Sequence, residues 1–234
     1  MLFVHELHGI VGREEEAFES AWQQWMKALG DGEDARLLWY LHHTHGTGPA
    51  YQVVTVTGVS DAAAWGRLAA RARAGDLSDL RDEIDGRRHD HAAKVLAPVS
   101  WSPLDSVDLG DVPLDGEREQ HLFMEDTAWP HRGRYRDYLD KAGSLYLGLL
   151  QRGAESGRGM LEMVAAFSPT LGSGPAREVV LWQRITHPEY LLPLFSAEVP
   201  AEHKQPGTWM HDALDVRDRW ESRLLRTAPW SPLN

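Results

Sequence analysis

The sequence has no cysteine, no long apolar run and no excess of positive charge, and each absence excludes a class of protein. Without cysteine there is no disulfide, no thiolate nucleophile and no zinc or iron–sulfur site built on sulfur. No apolar run approaches the roughly 18 residues that span a bilayer, and the first residues lack the basic and apolar segments of a signal peptide. Lys and Arg number 24 against 35 Asp and Glu, so the net charge of −11 disfavours nucleic acid as a partner. These features favour a cytoplasmic protein that binds neither membranes nor nucleic acid.

Several common catalytic motifs are missing as well. The chain has no Walker loop, no Gly-x-Gly-x-x-Gly after a strand, no His-Glu-x-x-His and no Gly-x-Ser-x-Gly. What remains is an ordinary globular composition, 42% hydrophobic and 25% charged. The 12 His and 10 Trp are many for this length and are the compositional indication of a lined pocket.

An internal repeat organises the chain. Three pairs of segments match in the same order, at spacings of 120, 126 and 129 residues: Leu2-Phe3 with Leu122-Phe123, Gly46–Ala50 with Gly172–Ala176, and Trp101–Leu104 with Trp230–Leu233. A growing spacing is what a duplication with two loop insertions produces. Between the copies, residues 105–118 are rich in Asp, Gly and Pro and lack periodicity, which predicts a solvated linker. The predicted domains are therefore residues 1–104 and 119–234.

Each copy carries the same order of elements. In the first copy the pattern predicts a strand over 2–10, a helix over 14–29, a hairpin of 36–43 with 51–59, a helix from an N-cap at Ser60 that extends toward His91, and a strand over 95–101. In the second copy the corresponding segments are 122–127, 134–150, 161–167, 178–185, a helical stretch that ends near Trp220, and 224–230. The order βαββαβ is the ferredoxin-like arrangement, an α+β fold with an antiparallel sheet covered by helices on one face. Tandem copies can cover each other's open sheet face, either face to face or as a shared barrel.

Two segments of the second copy carry a family resemblance. WESRLLRTAPWSPL at 220–233 and GPAREVVLWQRIT at 174–186 resemble the NIPSNAP family of the dimeric α/β-barrel superfamily, and the first copy looks like a more divergent member. The resemblance implies two tandem ferredoxin-like units that form an intramolecular dimeric α/β barrel. That shape is used by cofactor-independent monooxygenases, haem enzymes, isomerases and proteins of unknown role, so the resemblance implies no particular catalytic residues.

Histidines of the first copy are the candidate catalytic groups. His5 aligns with Glu125 of the second copy and His91 with Trp220, so the histidines replace other residue types at equivalent positions. Since histidine titrates near neutral pH, His5 and His91 could act as a general base or bind a metal if both face one pocket; separate, structurally unrelated histidines are the alternative. His91 alone could also be a neutral core histidine that donates to a backbone carbonyl.

Other residues could chelate a metal or line a pocket. His43 and His45, two apart in the HHTH segment, could bind a first-row metal if they lie on one face of a strand, whereas a solvated strand end is the alternative. Trp39 is expected to face a core or barrel, where it packs or contacts substrate. Trp129 lies with His131 and several arginines in AWPHRGRY, a loop that could rim a site for an aromatic or anionic molecule, whereas a solvated loop is the alternative. Glu125 and Trp129 are the counterparts of the histidines across the pseudo-twofold and, with Trp39, the candidate substrate-binding residues.

The functional hypotheses are three. The first is a monooxygenase-like or proton-transfer enzyme that acts on an aromatic or polyketide-like substrate without a cofactor, with His5, His43 and His91 as bases or ligands. The second is a non-catalytic protein that binds a hydrophobic ligand or a partner chain. The third is a haem or first-row metal protein with a histidine ligand. Further pairing into a homo-oligomer stays open at this point.

Overall fold

A computed structural model describes residues 1–32, 34–170 and 176–234. The strands of these residues are β1 Leu2–Ile10, β2 Ala35–His43, β3 Gln52–Val59, β4 Arg88–Pro98, β5 Leu122–Trp129, β6 Leu161–Pro169, β7 Val179–Ile185 and β8 Arg219–Thr227. The α-helices are α1 Glu15–Gly30, α2 Ala62–Ala74, α3 Ser78–Asp85, α4 Tyr135–Lys141, α5 Leu147–Glu155, α6 Leu191–Ser196 and α7 Trp209–Asp212. A π-helical turn, Ala142–Tyr146, joins α4 to α5. None of the helices in this part of the chain is long and apolar enough to cross a membrane.

The chain divides into two compact units. Unit 1 comprises Met1–Ala97, Ser106–His121 and Leu224–Asn234. Its central strand β1 is antiparallel to β3 on one side and to β4 on the other, and β2 joins β3 to the last residues of β8. Helix α1 buries an apolar face that includes Phe18, Trp22 and Leu29 against this sheet. Unit 1 is thus one sheet with a helical layer on one face.

Unit 2 repeats this arrangement with Pro98–Asp105 and Leu122–Arg223. Its strand β7 lies between β5 and β6, antiparallel to both. A core of Tyr138, Tyr146, Leu181 and Trp209, among others, lies between this sheet and its helices. The predicted α+β class and the ferredoxin-like units are therefore confirmed. Hydrogen bonds link the strands in the order β1-β3-β2-β8-β5-β7-β6-β4, a closed antiparallel barrel as predicted.

Three local predictions were wrong. The segment around His91 is not helical: α3 ends at Asp85, and His91 lies in β4. Trp220 likewise lies in a strand, β8, and its side chain is 47% exposed instead of packed on the sheet. Helix α2 is capped by Asp61, whose Oδ1 accepts a hydrogen bond from the amide of Ala64 at 2.7 Å, and not by Ser60.

The linker is also more than a solvated connection. It belongs to unit 1 from Ser106 onward, and Leu109 and Val112 are buried. Leu114 packs so closely on Gly30 that any Cβ at Gly30 would collide with it. The domain boundaries predicted from the repeat describe the duplication and stay a prediction. Of the repeated segments that indicated the duplication, Gly172–Pro175 lie outside the described residues.

The WSPL repeat has the same structural role at both of its positions. In unit 2 the Oγ of Ser102 accepts a hydrogen bond from the amide of Ala166 at 2.9 Å and donates to the carbonyl of Leu104 at 2.6 Å. The amide of Leu104 in turn donates to the carbonyl of Val164, at the β-bulge of β6. The serine thus satisfies backbone groups of β6 where the bulge interrupts the regular ladder.

The second WSPL segment repeats these bonds in unit 1. The Oγ of Ser231 accepts from the amide of Tyr40 at 3.1 Å and donates to the carbonyl of Leu233 at 2.8 Å. The amide of Leu233 donates to the carbonyl of Leu38 at the bulge of β2. The repeated motif therefore makes the same hydrogen bonds to a bulged strand in each unit.

We expect Ser231→Ala to lower the free energy of unfolding by about 1–3 kcal/mol, because it leaves the buried amide of Tyr40 without a partner. Urea denaturation at pH 7 measures this. Ser60→Ala, which changes an exposed serine that does not cap α2, serves as the matched control and should change the value by less than about 0.5 kcal/mol. Equal losses in the two variants would contradict the role assigned to Ser231.

Candidate functional site

Two polar side chains of β1 point toward the helices of unit 1. Residues of a strand alternate between faces, and Val4 and Ile10 belong to the core beneath the helices, so Glu6 and His8 share that face. Both are buried, at 7% and 0% exposure. A buried carboxylate and a buried imidazole must be paired by the surrounding side chains.

Glu6 is held by two donors. Register places Ala93 opposite Glu6 and His91 opposite His8, so His91 reaches the same face. Its Nε2–H donates to Oε1 of Glu6 at 2.8 Å, and Nη1 of Arg81 donates to the same oxygen at 3.2 Å. Burial by itself raises the pKa of Glu6, but the hydrogen bond from His91 and the positive charge of Arg81 outweigh it and bring the pKa to about 2. Glu6 is therefore ionised at neutral pH.

His8 is neutral and fixed in one tautomer. Nη1 of Arg88 donates to Nδ1 of His8 at 2.6 Å, and since a guanidinium has no acceptor, Nδ1 carries no proton. The proton is on Nε2, which donates to Oγ1 of Thr55 at 3.1 Å. Burial, with a smaller effect of the nearby charge of Arg88, lowers the pKa of His8 to about 3 against the opposing effect of the Glu6 carboxylate. Its ring stacks on that of His91, with the centroids 5.4 Å apart.

A pocket of about 310 Å³ opens beside Glu6 and His91. It lies between the sheet and α1, α2 and α3, and its wall is mainly apolar. The lining residues are Val4, Glu6, Trp25, Thr57, Trp65, Leu68, Ala69, Ala72, Arg73, Arg81, His91 and Ala93. A mainly apolar cavity of this size with a few convergent polar groups is typical of a site for a small organic molecule.

His91 is the predicted catalytic residue that lines this pocket, and its side chain is 27% exposed. His5 does not meet it. Register pairs His5 with Val56 and with Lys94, so His5 lies on the opposite face of the sheet from Glu6, where it is buried. Trp39 also pairs with Val56 and shares that opposite face with His5.

The other predicted residues are also placed away from the pocket. His43 ends β2, and its ring packs on Gly48, whereas His45 lies beyond the strand; the two therefore do not form an i, i+2 pair on one strand. Glu125 is buried in β5, and its Oε1 accepts a hydrogen bond from Arg223 at 2.6 Å. Trp129 ends β5 under the guanidinium of Arg219, at 4.4 Å from the ring centroid.

The sequence reasoning missed Glu6, Arg81 and the fixed neutral state of His8. Strand β1 is buried on both faces, so its apolar residues do not reveal which face lies under the helices. The available signal was the pair Glu6 and His8, two polar residues at alternate positions of β1, but His5 beside them is polar too and obscures the pattern. Arg81 had no such signal because a charged residue on a short helix is ordinary.

Unit 2 has a different set of residues at the equivalent positions. Asp126 occupies the position of Glu6 and Ala128 that of His8. Nε2 of Gln183 donates to Asp126 at 3.0 Å, and the hydroxyl of Tyr146 donates to Gln183. Burial raises the pKa of Asp126, although hydrogen bonds from Ser222 and Gln183 oppose this effect. Unit 2 thus lacks the histidines that surround Glu6 in unit 1.

A metal or haem would find few ligands at this site. Over residues 1–32, 34–170 and 176–234, no three His, Asp or Glu side chains are grouped so that they could hold a metal ion. A haem requires only one histidine. Because Nε2 of His91 donates its proton to Glu6, the nitrogen that His91 leaves for any ligand is Nδ1.

Comparison with known proteins establishes the fold. No family profile matches the sequence, and no curated protein matches it. Among solved structures, a proposed monooxygenase from Fusobacterium nucleatum is similar over 99% of this chain and 94% of its own, with 8% identity and a TM-score of 0.59. An anthrone oxidase-like protein is similar over 97% and 91%, with 8% identity and a TM-score of 0.58.

The chain has the dimeric α/β-barrel fold. A NIPSNAP domain protein from Burkholderia xenovorans is also among the matched structures; it is 18% identical and covers 44% of this chain and 99% of its own, with a TM-score of 0.37. At these identities the likeness establishes the fold, and the activity has to be inferred from the residues of the site.

Proposed function

We propose that this protein is a small-molecule enzyme that binds an aromatic or polyketide-like substrate in the unit 1 pocket and removes a proton from it with His91. The observation that carries the proposal is the 2.8 Å hydrogen bond from His91 to an ionised, buried Glu6 at the wall of an apolar pocket. A carboxylate behind an imidazole fixes the tautomer and stabilises the imidazolium that forms when the imidazole accepts a proton. His91 is the general base and Glu6 the positioning residue.

The remaining polar groups support this assignment. Arg81 donates to Glu6 and also forms an ion pair with Asp85 at 3.4 Å, so it keeps Glu6 ionised and fixed in place. His8 is neutral and is held by Arg88 and Thr55, so its ring provides a fixed surface on which His91 stacks. The nitrogen of His91 that is left to accept a proton from the substrate is therefore Nδ1.

The oxygenase fold neighbours support a substrate whose carbanion reacts directly with dioxygen. Anthrone is a suitable probe because its methylene group is acidic and its rings are planar and apolar. His91 takes one methylene proton, and the resulting enolate reduces O₂ and binds it as a peroxide anion, which takes that proton back from His91. The hydroperoxide then loses hydroxide and the second hydrogen of the same carbon as a proton, which together make water and leave the new ketone. The balance is C₁₄H₁₀O + O₂ → C₁₄H₈O₂ + H₂O, with dioxygen as the oxidant.

The test is anthrone turnover, followed by anthraquinone absorbance and oxygen uptake. We expect His91→Gln to lower kcat by about 100-fold or more, the usual contribution of a general base, and Glu6→Gln to lower it as well, because the imidazolium loses the carboxylate that stabilises it. The matched control is Asp126→Asn, which changes the equivalent carboxylate of unit 2 and should leave turnover unchanged. Activity that survives in His91→Gln would overturn the assignment.

The same protein preparation discriminates the alternatives. A binding protein would retain anthrone tightly, with tryptophan fluorescence quenched, and produce no anthraquinone. A haem protein would develop a Soret band on titration with hemin, and the band would be lost in His91→Gln. Either result would replace the proton-transfer enzyme as the function of this pocket.

A further inference from the structure

Two arginines line the pocket of unit 1, and in the part of the chain that the structure describes one of them has no acidic partner. Arg81 is paired with Glu6 and Asp85. Arg73, in the last turn of α2, lines the same pocket, and within the described ranges no hydrogen bond, ion pair or ring contact involves its side chain. Since guanidinium is charged at all accessible pH values, Arg73 offers a full set of donors at the pocket.

The charge balance of the pocket favours an anion. Glu6 brings one negative charge to the lining, whereas Arg73 and Arg81 bring two positive charges. Glu6 accepts hydrogen bonds from His91 and Arg81, which compensate its negative charge. The carboxylate of Glu6 therefore does not repel an anionic ligand at Arg73. An incoming carboxylate would therefore find a complementary charge at Arg73.

The other residues that line the pocket favour a ligand with a flat, apolar ring system. Trp25 and Trp65 supply two indole rings, and Leu68, Ala69 and Ala72 supply the small and branched aliphatic surface of α2. Arg73 is exposed and lies in the last turn of α2, so the cation is at the solvent-facing end of this apolar surface. A ligand that satisfies both parts has an aromatic ring system and an acidic group at its edge.

We infer that the substrate is an aromatic carboxylic acid whose carboxylate is bound by Arg73 while its rings occupy the pocket beside Trp25 and Trp65. This inference deepens the proposed function and rests on it for the reaction, but substrate binding itself is independent of turnover. Arg73 is then a binding residue that determines specificity, and His91 acts on the ring system held in place by this anchor.

The probes are 2-naphthoate and 2-naphthamide, which share one ring system and differ in charge. Equilibrium binding is measured by calorimetry on the full chain at low salt. We expect 2-naphthoate to bind about tenfold more tightly than 2-naphthamide, a ratio typical of a charge-assisted pair that a ligand partly shields from water. Arg73→Ala should abolish this preference by weakening naphthoate alone, and Arg73→Lys should restore part of it.

The matched control is Arg67→Ala, which removes an arginine from the same helix, one that is paired with Asp34 and does not line the pocket. It should leave the tenfold preference intact, because the effect depends on position and not on net charge. Equal affinities of the two probes for the unaltered protein, no binding of either probe, or an undiminished preference in Arg73→Ala would overturn the inference. Anthrone turnover that depends on His91 would still stand in those cases, so the two proposals fail separately.

Discussion

The free energy of unfolding is expected to fall between pH 6.5 and pH 4.5, and His8→Gln is expected to abolish most of that fall. The folded-state pKa of His8 is about 3, well below its ordinary value of 6.5, because burial disfavours the charged imidazole. Unfolding therefore takes up a proton in this range, and the stabilisation is complete above pH 6.5 and lost as the pH falls toward 3. Over the two pH units down to 4.5 the loss amounts to about 2–3 kcal/mol, and to about 4–5 kcal/mol by pH 3.

Glu6 makes a separate contribution at lower pH. Its pKa of about 2 lies below the ordinary 4.5, so its stabilisation is complete above pH 4.5 and is lost as the pH falls toward 2. The range from 6.5 to 4.5 therefore isolates His8 from Glu6.

The measurement is the free energy of unfolding from urea denaturation at pH 6.5 and 4.5. Glutamine at position 8 can still accept a hydrogen bond from Arg88 and donate one to Thr55, but it does not titrate. The matched control is His45→Gln, which changes an exposed histidine of the turn after β2 and should keep the slope of the unaltered protein. An unchanged slope in His8→Gln would show that His8 is not the group responsible.

Trp22→Ala is expected to produce the second large effect, a loss of about 3–5 kcal/mol in the free energy of unfolding. Trp22 is completely buried in α1, with ring contacts to His8 at 5.3 Å and to Trp25 at 5.9 Å between centroids. The truncation removes a large apolar surface and leaves a cavity that the surrounding rings cannot fill. Since Trp25 lines the pocket, loosened packing here should also weaken ligand binding.

Urea denaturation at pH 7 tests this prediction. The matched control is Trp220→Ala: Trp220 is 47% exposed and contacts the guanidinium of Arg217 at 5.3 Å, so its loss should cost no more than about 1 kcal/mol. Trp22→Phe, which retains part of the buried surface, should lie between the two. A cost for Trp22→Ala no greater than that for Trp220→Ala would contradict the packing described for α1.

Much of the architecture was predictable because duplication leaves a signal that local propensity does not. The matched WSPL segments predicted two equivalent copies, and the structure shows both serines in the same hydrogen bonds at the bulges of β6 and β2. The βαββαβ order followed from periodicity in most elements. It failed in β4, where the polar residues 88–91 and the two alanines after them are largely exposed and resemble the end of a helix more than a strand.

The candidate site was only partly predictable. His91 was selected because the second copy has Trp220 at that position, and it lines the pocket. His5 lies on β1, a strand of the site, and Trp39 on the neighbouring strand β2, but both side chains are on the other face of the sheet. A strand buried on both faces shows no alternation of polarity, so sequence could not decide which of His5 and Glu6 faces the helices.

The sequence by itself determined the duplication, the α+β class and the enrichment in histidine of the first copy, because these depend on residue identity and on short-range periodicity. Only the tertiary structure decided that Glu6, Arg81 and His91 meet. These three residues come from β1, α3 and β4, and their contacts depend on strand register and on how α3 packs over the sheet. A shift of one residue in that register would turn His91 to the opposite face, since side chains alternate along a strand.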